Sequence, residues 1–377
     1  MRLSLIELQK SKGKLINRHA MGIINLNVIL WTLCLCALSF TLLYSAAGGI
    51  TPWAWKQTLY GAIFLFISII IACVNTAKLY QYTYIIYAAS IAMLLGVFVF
   101  GKVVMGARRW IDFKLFNLQP SEFAKVGLIL ALAKLFHNIS VYKKILDIKL
   151  FMPVILIAIP FTLVALQPDL ATGMTILLMG GAVCFLCGVR IEVFFVLLIL
   201  TLIILPVIWS TLHDYQQLRV LNFLNPDMDP LGSGYSVIQS KIAVGSGGFF
   251  GKGFMKGNQS HLNFLPEHQT DFIFTMLAEE FGFLGCSLAI FCYICIIGYG
   301  MQVALRANSI FCKSIASGSS FMLFMHCAIN AGMVMGLLPV AGVPMPLLSY
   351  GGSSVATSMI LIGLMMHADA NRAKECY

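Results

Sequence analysis

The segment LPEHQTDF, residues 265–272, sets Glu267, His268 and Asp271 directly ahead of an apolar run that begins Phe272-Ile273-Phe274. A carboxylate at such an entry point has two roles open to it. It caps the following helix by accepting backbone N–H groups, which is the commoner role on spacing alone. Or it works as a general base at the edge of a bilayer, taking a proton from a hydroxyl. The company of Asp271 favours the second role. Arg108, Arg109 and Lys125 fall in GARRWIDFKLFNLQPSEFAK, on a connection expected at the same end of the hydrophobic segments. Glu279 and Glu280 follow about 12 Å deeper by helical rise, and intramembrane carboxylates are usually paired or functional.

Cations held at a membrane edge call for an anion. Pro120-Ser121 reads as a helix start, with Ser as the cap and Glu122 in the first turn. Lys125 follows in that turn, where the helix dipole is already positive. A bound phosphate resolves the conflict; so does a Glu122–Lys125 ion pair at i,i+3, or snorkelling. Asp169, in Gln167-Pro168-Asp169, caps the next helix or serves as a rim carboxylate, a metal ligand or a partner to the cations. Arg219 precedes VLNFLNPDMDP, whose Asp227 and Asp229 suit a turn or a divalent cation. In GSGYSVIQSKIAVGSGGFFGKG, Val237, Ile238, Ile242 and Val244 predict a short amphipathic helix, and the glycines after it permit a phosphate-binding nest. In LLPVAGVPMPLLSYGGSS the prolines prevent helix up to Pro346. Ser349, Gly351, Gly352 and Ser353 then offer hydroxyls and bare amides at a helix start, for an anion or for close helix packing.

These residues need a scaffold, and composition supplies its class. The chain has 377 residues, 59% hydrophobic and 11% charged, against roughly 25% charged in soluble domains. The apolar runs are continuous rather than alternating, which excludes an outer-membrane barrel. The expectation is an all-α, polytopic membrane protein of about ten transmembrane helices. They are predicted near residues 21–47, 57–74, 82–100, 122–137, 150–167, 170–188, 191–209, 272–299, 315–338 and 348–367. A large loop, 210–271, joins helices seven and eight. The first run is too long for a signal peptide.

The basic tail 1–20, Lys78, Lys143, Lys144, Lys149, Arg190, Arg306, Lys313, Arg372 and Lys374 share one side, the cytoplasm by the positive-inside rule. Both termini are expected there and the large loop outside. Lys102, Arg108, Arg109 and Lys114 break the rule, as cations kept for an anion would. The net charge of +10 fits orientation and anionic membrane lipid rather than nucleic acid, for which no motif appears. The 11 cysteines imply no disulfide framework, and Cys184-x-x-Cys187 inside an apolar run reads as packing.

Taken in order, GARRWI with QPSEFAK, QPDLATG, RVLNFLNP with GYSVIQSKIAVGSGG and GKG, LPEHQTDFIF with AEEFGFLG, and LPVAGVPMPLLSYGGSS resemble the SEDS family (shape, elongation, division, sporulation). The likeness spans roughly residues 20–367 and is nearer the elongation branch than the division branch. Ala171 stands where Gly is frequent, and NQSHLNF is unusual ahead of LPE. The resemblance implies a single transmembrane domain over 1–377 that polymerises lipid II from a polyprenyl-pyrophosphate-linked glycan, outside the bacterial cytoplasmic membrane. It implies stimulation by a divalent cation, Mg²⁺ or Mn²⁺, at an unassigned site, and a class B penicillin-binding protein as transpeptidase partner. It implies Asp271 as the catalytic residue. The substrate contacts expected around it are Arg108, Arg109, Lys125, Asp169, Arg219, Glu267, Ser349, Gly351, Gly352 and Ser353. Forming a β bond from an α-linked pyrophosphate is an inversion that needs a base and charge for the leaving group. Two rival readings are a lipid II flippase and a non-catalytic activator of the penicillin-binding protein.

Overall fold

Backbone inside hydrocarbon must satisfy its own N–H and C=O groups, so long apolar runs become helices. The computed structural model describes residues 25–104, 107–112, 117–139, 151–211, 214–224, 233–257 and 267–373. Its helices are α1 (Leu26–Ala47), α2 (Ala54–Cys73), α3 (Thr76–Phe100), α4 (Pro120–Asn138), α5 (Phe151–Leu166), α6 (Leu170–Leu186) and α7 (Ile191–Thr211). Then come α8 (Asp214–Leu224), α9 (Ser233–Gly247), α10 (Ile273–Arg306), α11 (Ile310–Val334) and α12 (Gly352–Ala370). Setting aside α8 and α9, they follow the ten expected spans. Five of them, α1, α2, α3, α10 and α12, are long and apolar enough to cross a membrane, and α5, α6 and the first part of α7 are shorter apolar helices. The architecture is that of an all-α polytopic membrane protein.

Local chemistry sets several ends. Asn25 and Asn75 cap α1 and α3 by accepting the N–H groups of Asn27 and Ala77 at 3.1 and 3.0 Å. The 34-residue α10 would run about 51 Å if straight, longer than the roughly 30 Å hydrocarbon core. It is broken at Gly282, whose φ of +63° and ψ of −157° only glycine adopts at ease. At the centre, α4 and α12 are buried along most of their length, α12 lying against α2, α11 and α4. The apolar side chains of α7, such as Phe195, Ile199 and Ile203, face outward.

Three features depart from the sequence reading. The connection between α3 and α4 carries a small antiparallel sheet, β1 (Lys102–Val104), β2 (Ala107–Asp112) and β3 (Asn117–Leu118), in that order. It pairs Lys102 with Trp110 and Ile111 with Leu118. Gln119 rather than Ser121 occupies the cap of α4, with Pro120 in the first turn, where its missing N–H is harmless. The long polar segment is partly helical. The amphipathic helix expected at Val237–Val244 is α9, and α8 was not anticipated. The described cysteines are free; Cys184 lies in α6, Cys187 ends it, and the Cys187 Sγ lies 2.9 Å from Ser314 Oγ.

Candidate active site

The turn before α10 is built by Glu267. Its φ of +55° is unusual for a residue with a side chain, a strain of about 1–3 kcal/mol that tends to persist where neighbours enforce it. Its carbonyl accepts the N–H groups of Thr270 and Asp271, each at 3.1 Å. Its carboxylate accepts from Gln269 Nε2 at 3.1 Å and Thr270 Oγ1 at 3.3 Å. Phe272, not Asp271, takes the cap position of α10, and its own side chain makes no cap bond. Asp271 thus sits one residue ahead of the cap position that its spacing favoured. It is half-buried, and its carbonyl accepts from Asn330 Nδ2 of α11 at 2.9 Å. The same amide donates to Val343 O at 2.8 Å, and a Cβ at Gly342 would lie 3.5 Å from Asp271 Oδ2. The Asp271 carboxylate thus turns toward the connection between α11 and α12.

That connection is bonded to the turn directly. Ser349 Oγ donates to Thr270 O at 2.6 Å and accepts the Met345 N–H at 2.8 Å. The Tyr350 N–H donates to Gln269 O at 2.9 Å. From α2, Gln57 Nε2 donates to Ser349 O at 2.9 Å, and Gln57 Oε1 accepts the Gly351 N–H at 3.3 Å. Ser353 Oγ accepts the Gln119 N–H at 2.9 Å and donates to Asn117 O at 3.0 Å. The expectation that SYGGSS offers free hydroxyls and amides to an anion is corrected here. Ser349 and Ser353 are buried and bonded to backbone, and the Tyr350 and Gly351 amides already have acceptors. Gly352 lies against Tyr60, where a Cβ would come within 3.4 Å of the ring. The segment holds the rim together. Burial, then the nearby Tyr60 phenol, raises the Tyr350 phenol above its ordinary 10.0, so it remains a hydrogen-bond donor.

The cations do not form one cluster. Successive residues on a strand point to opposite faces: Arg108 donates to Phe98 O at 3.2 Å, while Arg109 donates to Pro168 O at 2.7 Å and lies 3.6 Å from Asp169 Oδ2. Asp169 plays two of the roles left open for it. It caps α6, accepting from Thr172 N–H at 3.3 Å and Thr172 Oγ1 at 2.9 Å, and it pairs with Arg109. Lys125 is only 2% exposed. Its Nζ lies 2.6 Å from Glu122 Oε1 and 2.8 Å from His326 Nε2, and Thr357 Oγ1 donates to Glu122 Oε2 at 3.1 Å. The cation that seemed to need a phosphate already has a carboxylate, so the ion-pair reading replaces the phosphate role of Lys125.

The glycine-rich run after α9 is not a phosphate nest either. A Cβ on Gly247 would sit 1.9 Å from Ala278 O, and one on Gly251 would sit 2.1 Å from Glu280 O. The glycines let this backbone lie flush on the broken part of α10, where the Phe283 N–H donates to Gly248 O at 3.0 Å and the Lys252 N–H to Glu279 O at 2.9 Å. Lys252 Nζ pairs with Glu279 at 2.8 Å, and Ser45 Oγ donates to Glu280. Both intramembrane carboxylates are thereby partnered. Arg219 falls on α8, with its side chain outside the described residues, as are Asp227, Asp229 and Lys143. Among the described residues no three His, Cys, Asp or Glu side chains come together to hold a metal. Gln57, Asn330, His326 and Thr357 were missed; the available signal was a polar side chain inside an apolar span.

The fold is a helical membrane bundle with a half-buried carboxylate, Asp271, at the start of α10, and with Arg108 and Arg109 on a separate strand between α3 and α4. The model for the FtsW, RodA and SpoVE family, described as "Cell cycle protein", matches residues 18–374, and the chain belongs to this family. It is 39% identical over 346 residues to the peptidoglycan glycosyltransferase MrdB of Escherichia coli K12, covering 92% of this chain and 93% of that one. It is 31% identical to the peptidoglycan glycosyltransferase RodA of Treponema pallidum, covering 84% and 89%. Among solved structures, one titled "Structural coordination of polymerization and crosslinking by a peptidoglycan synthase complex" matches with a TM-score of 0.80 at 30% identity, covering 93% of this chain and 98% of that one.

Proposed function

We propose that this protein is a peptidoglycan glycosyltransferase that polymerises lipid II into glycan strands during elongation and rod-shape maintenance, releasing polyprenyl pyrophosphate. The observation that carries the mechanism is the Glu267–Asp271 turn, which holds a half-buried carboxylate off the helix cap and at the rim. Asp271 takes the proton of the acceptor hydroxyl as that oxygen attacks the anomeric carbon from the face opposite the pyrophosphate. Geometry matters more than strength here, and the bonds from Ser349, Tyr350 and Asn330 fix the backbone on both sides of the base. Arg109, which bonds Pro168 O, lies by Asp169 and has further guanidinium donors, is our candidate for offsetting charge on the leaving pyrophosphate. A divalent cation, Mg²⁺ or Mn²⁺, would supply charge neutralisation for the pyrophosphate, at a site left unassigned.

The flippase reading relied on an open cationic cavity, and the pairing of Lys125 with Glu122 weighs against it. The relatives' names support a catalytic assignment over a scaffold. We place the rim on the extracytoplasmic face of the bacterial cytoplasmic membrane, with both termini cytoplasmic, from the distribution of Lys and Arg. The transpeptidase partner is a class B penicillin-binding protein. The test is polymerisation of lipid II by the purified protein, alone and with that partner, with and without Mg²⁺ or Mn²⁺. Absence of glycan chains under every condition overturns the assignment. Reporter fusions at Lys143 and Gly257 should fall on opposite sides, and a shared side would overturn the orientation.

A further inference from the structure

A recess of about 560 Å³ lies between α1 and α2, within the roughly 300–1,000 Å³ of small-ligand sites. Its walls include Leu33, Phe40, Gly61 and Leu65, and Ser39 and Gln57 lie toward one end. Leu33 and Phe40 are themselves part-exposed, on the apolar surface that faces lipid. From Gln57 to Leu65 the recess follows α2 for about 12 Å. Its polar end is joined to the candidate active site by a short relay. Gln57 donates to Ser349 O at 2.9 Å, and Ser349 Oγ donates to Thr270 O at 2.6 Å, one residue before Asp271.

We infer that this groove binds the isoprenoid chain of the lipid-linked substrate whose head group reaches Asp271. The inference rests on the glycosyltransferase reading. A molecule that joins a charged pyrophosphate to a long branched hydrocarbon needs a polar rim continuous with an apolar slot in the bilayer, and the groove has that polarity gradient and that connection. A transmembrane helix, about 10–12 Å across, is too wide for a recess of this volume. The floor is small: a Cβ on Gly61 would meet only Cys36 Sγ, at 3.9 Å. Larger residues at Gly61 therefore project into the slot without backbone strain.

The test uses the full-length protein in detergent or vesicles and two donors that share one head group, a long-chain and a short-chain polyprenyl-pyrophosphate glycan. Gly61→Leu should raise KM for the long-chain donor by about tenfold or more, as overfilling a packed space does. It should leave kcat and the short-chain KM near wild type. An unchanged long-chain KM overturns the inference. Ala62→Leu, on the same wall, is the second variant should Gly61→Leu fail to fold. A photoreactive group in the donor's chain should label peptides within residues 33–65 in wild type and in Asp271→Asn alike. Labelling confined to other helices, or equal labelling by a photoreactive phospholipid, overturns the site. Labelling of the groove in a protein that forms no glycan would uphold the chain site while the catalytic reading fails. Glycan formation with no groove labelling would do the reverse.

Discussion

The Glu122–Lys125–His326 network and Asp271 both place ionisable groups in an apolar helix bundle, yet the bundle closes over one and leaves the other half-exposed. In the network, each Glu122 oxygen and the Lys125 ammonium have partners within 3.1 Å, drawn from α4, α11 and α12. Such a set is buried and bonded internally, and it ties three helices to one another. At the rim, neighbours grip the backbone on either side of Asp271 and leave its carboxylate facing the α11–α12 connection. A charge becomes structural when its partners are complete. It becomes chemical when its position is fixed and it stays part-exposed to an incoming substrate.

The largest effect that would sharpen this contrast is at Asp271. Asp271→Asn keeps the shape and removes the base, so lipid II polymerisation should fall by about 10²–10⁴ while lipid II binding persists. Near-normal glycan chains from the folded variant would remove the rim from the chemistry. Lys125→Ala comes next, and its defect should be in stability. Leaving Glu122 buried and unpaired costs about 3–5 kcal/mol, whereas Lys125→Met with Glu122→Leu, which removes both charges, should recover most of the loss. Thermal unfolding of the purified variants decides it. A Lys125→Ala protein that unfolds like wild type yet no longer binds lipid II would break the comparison and return Lys125 to the substrate.

Arg109→Lys is a smaller test on the rim side. It keeps the charge but loses the planar fork that bonds Pro168 O and lies by Asp169. A charged hydrogen bond is worth about 1.5–3 kcal/mol, so kcat/KM should drop by roughly ten- to a hundredfold, and Arg108→Lys, on the other strand face, should drop it less. The smallest effect is expected at Glu267, whose exposed carboxylate bonds only its own turn in the contacts described. Glu267→Gln retains an acceptor and should change kcat/KM by no more than a few fold, in keeping with a neutral hydrogen bond of about 0.5–1.5 kcal/mol. A loss as large as that of Asp271→Asn would make Glu267 a partner in the chemistry.

Much of this protein was legible without coordinates, because the rules involved act over a few residues or against the bilayer. Continuous apolar runs must be helices in lipid. The ten spans, the amphipathic α9 and the Asp169 cap follow from those rules, and Asp271 stood out as a carboxylate at a span's edge. Partner choice was not legible. Lys125 finds His326 across 201 positions, Gln57 finds Ser349 across 292, and Ser349 finds Thr270 across 79. Sequence spacing set Lys125 against a helix dipole and set bare glycines after α9, and both read as phosphate sites. Only packing showed that Glu122 and His326 complete the lysine and that Gly247 and Gly251 lie flush on α10. Local patterns state which groups a segment carries; which of them stay available depends on the neighbours that a distant part of the chain brings into contact.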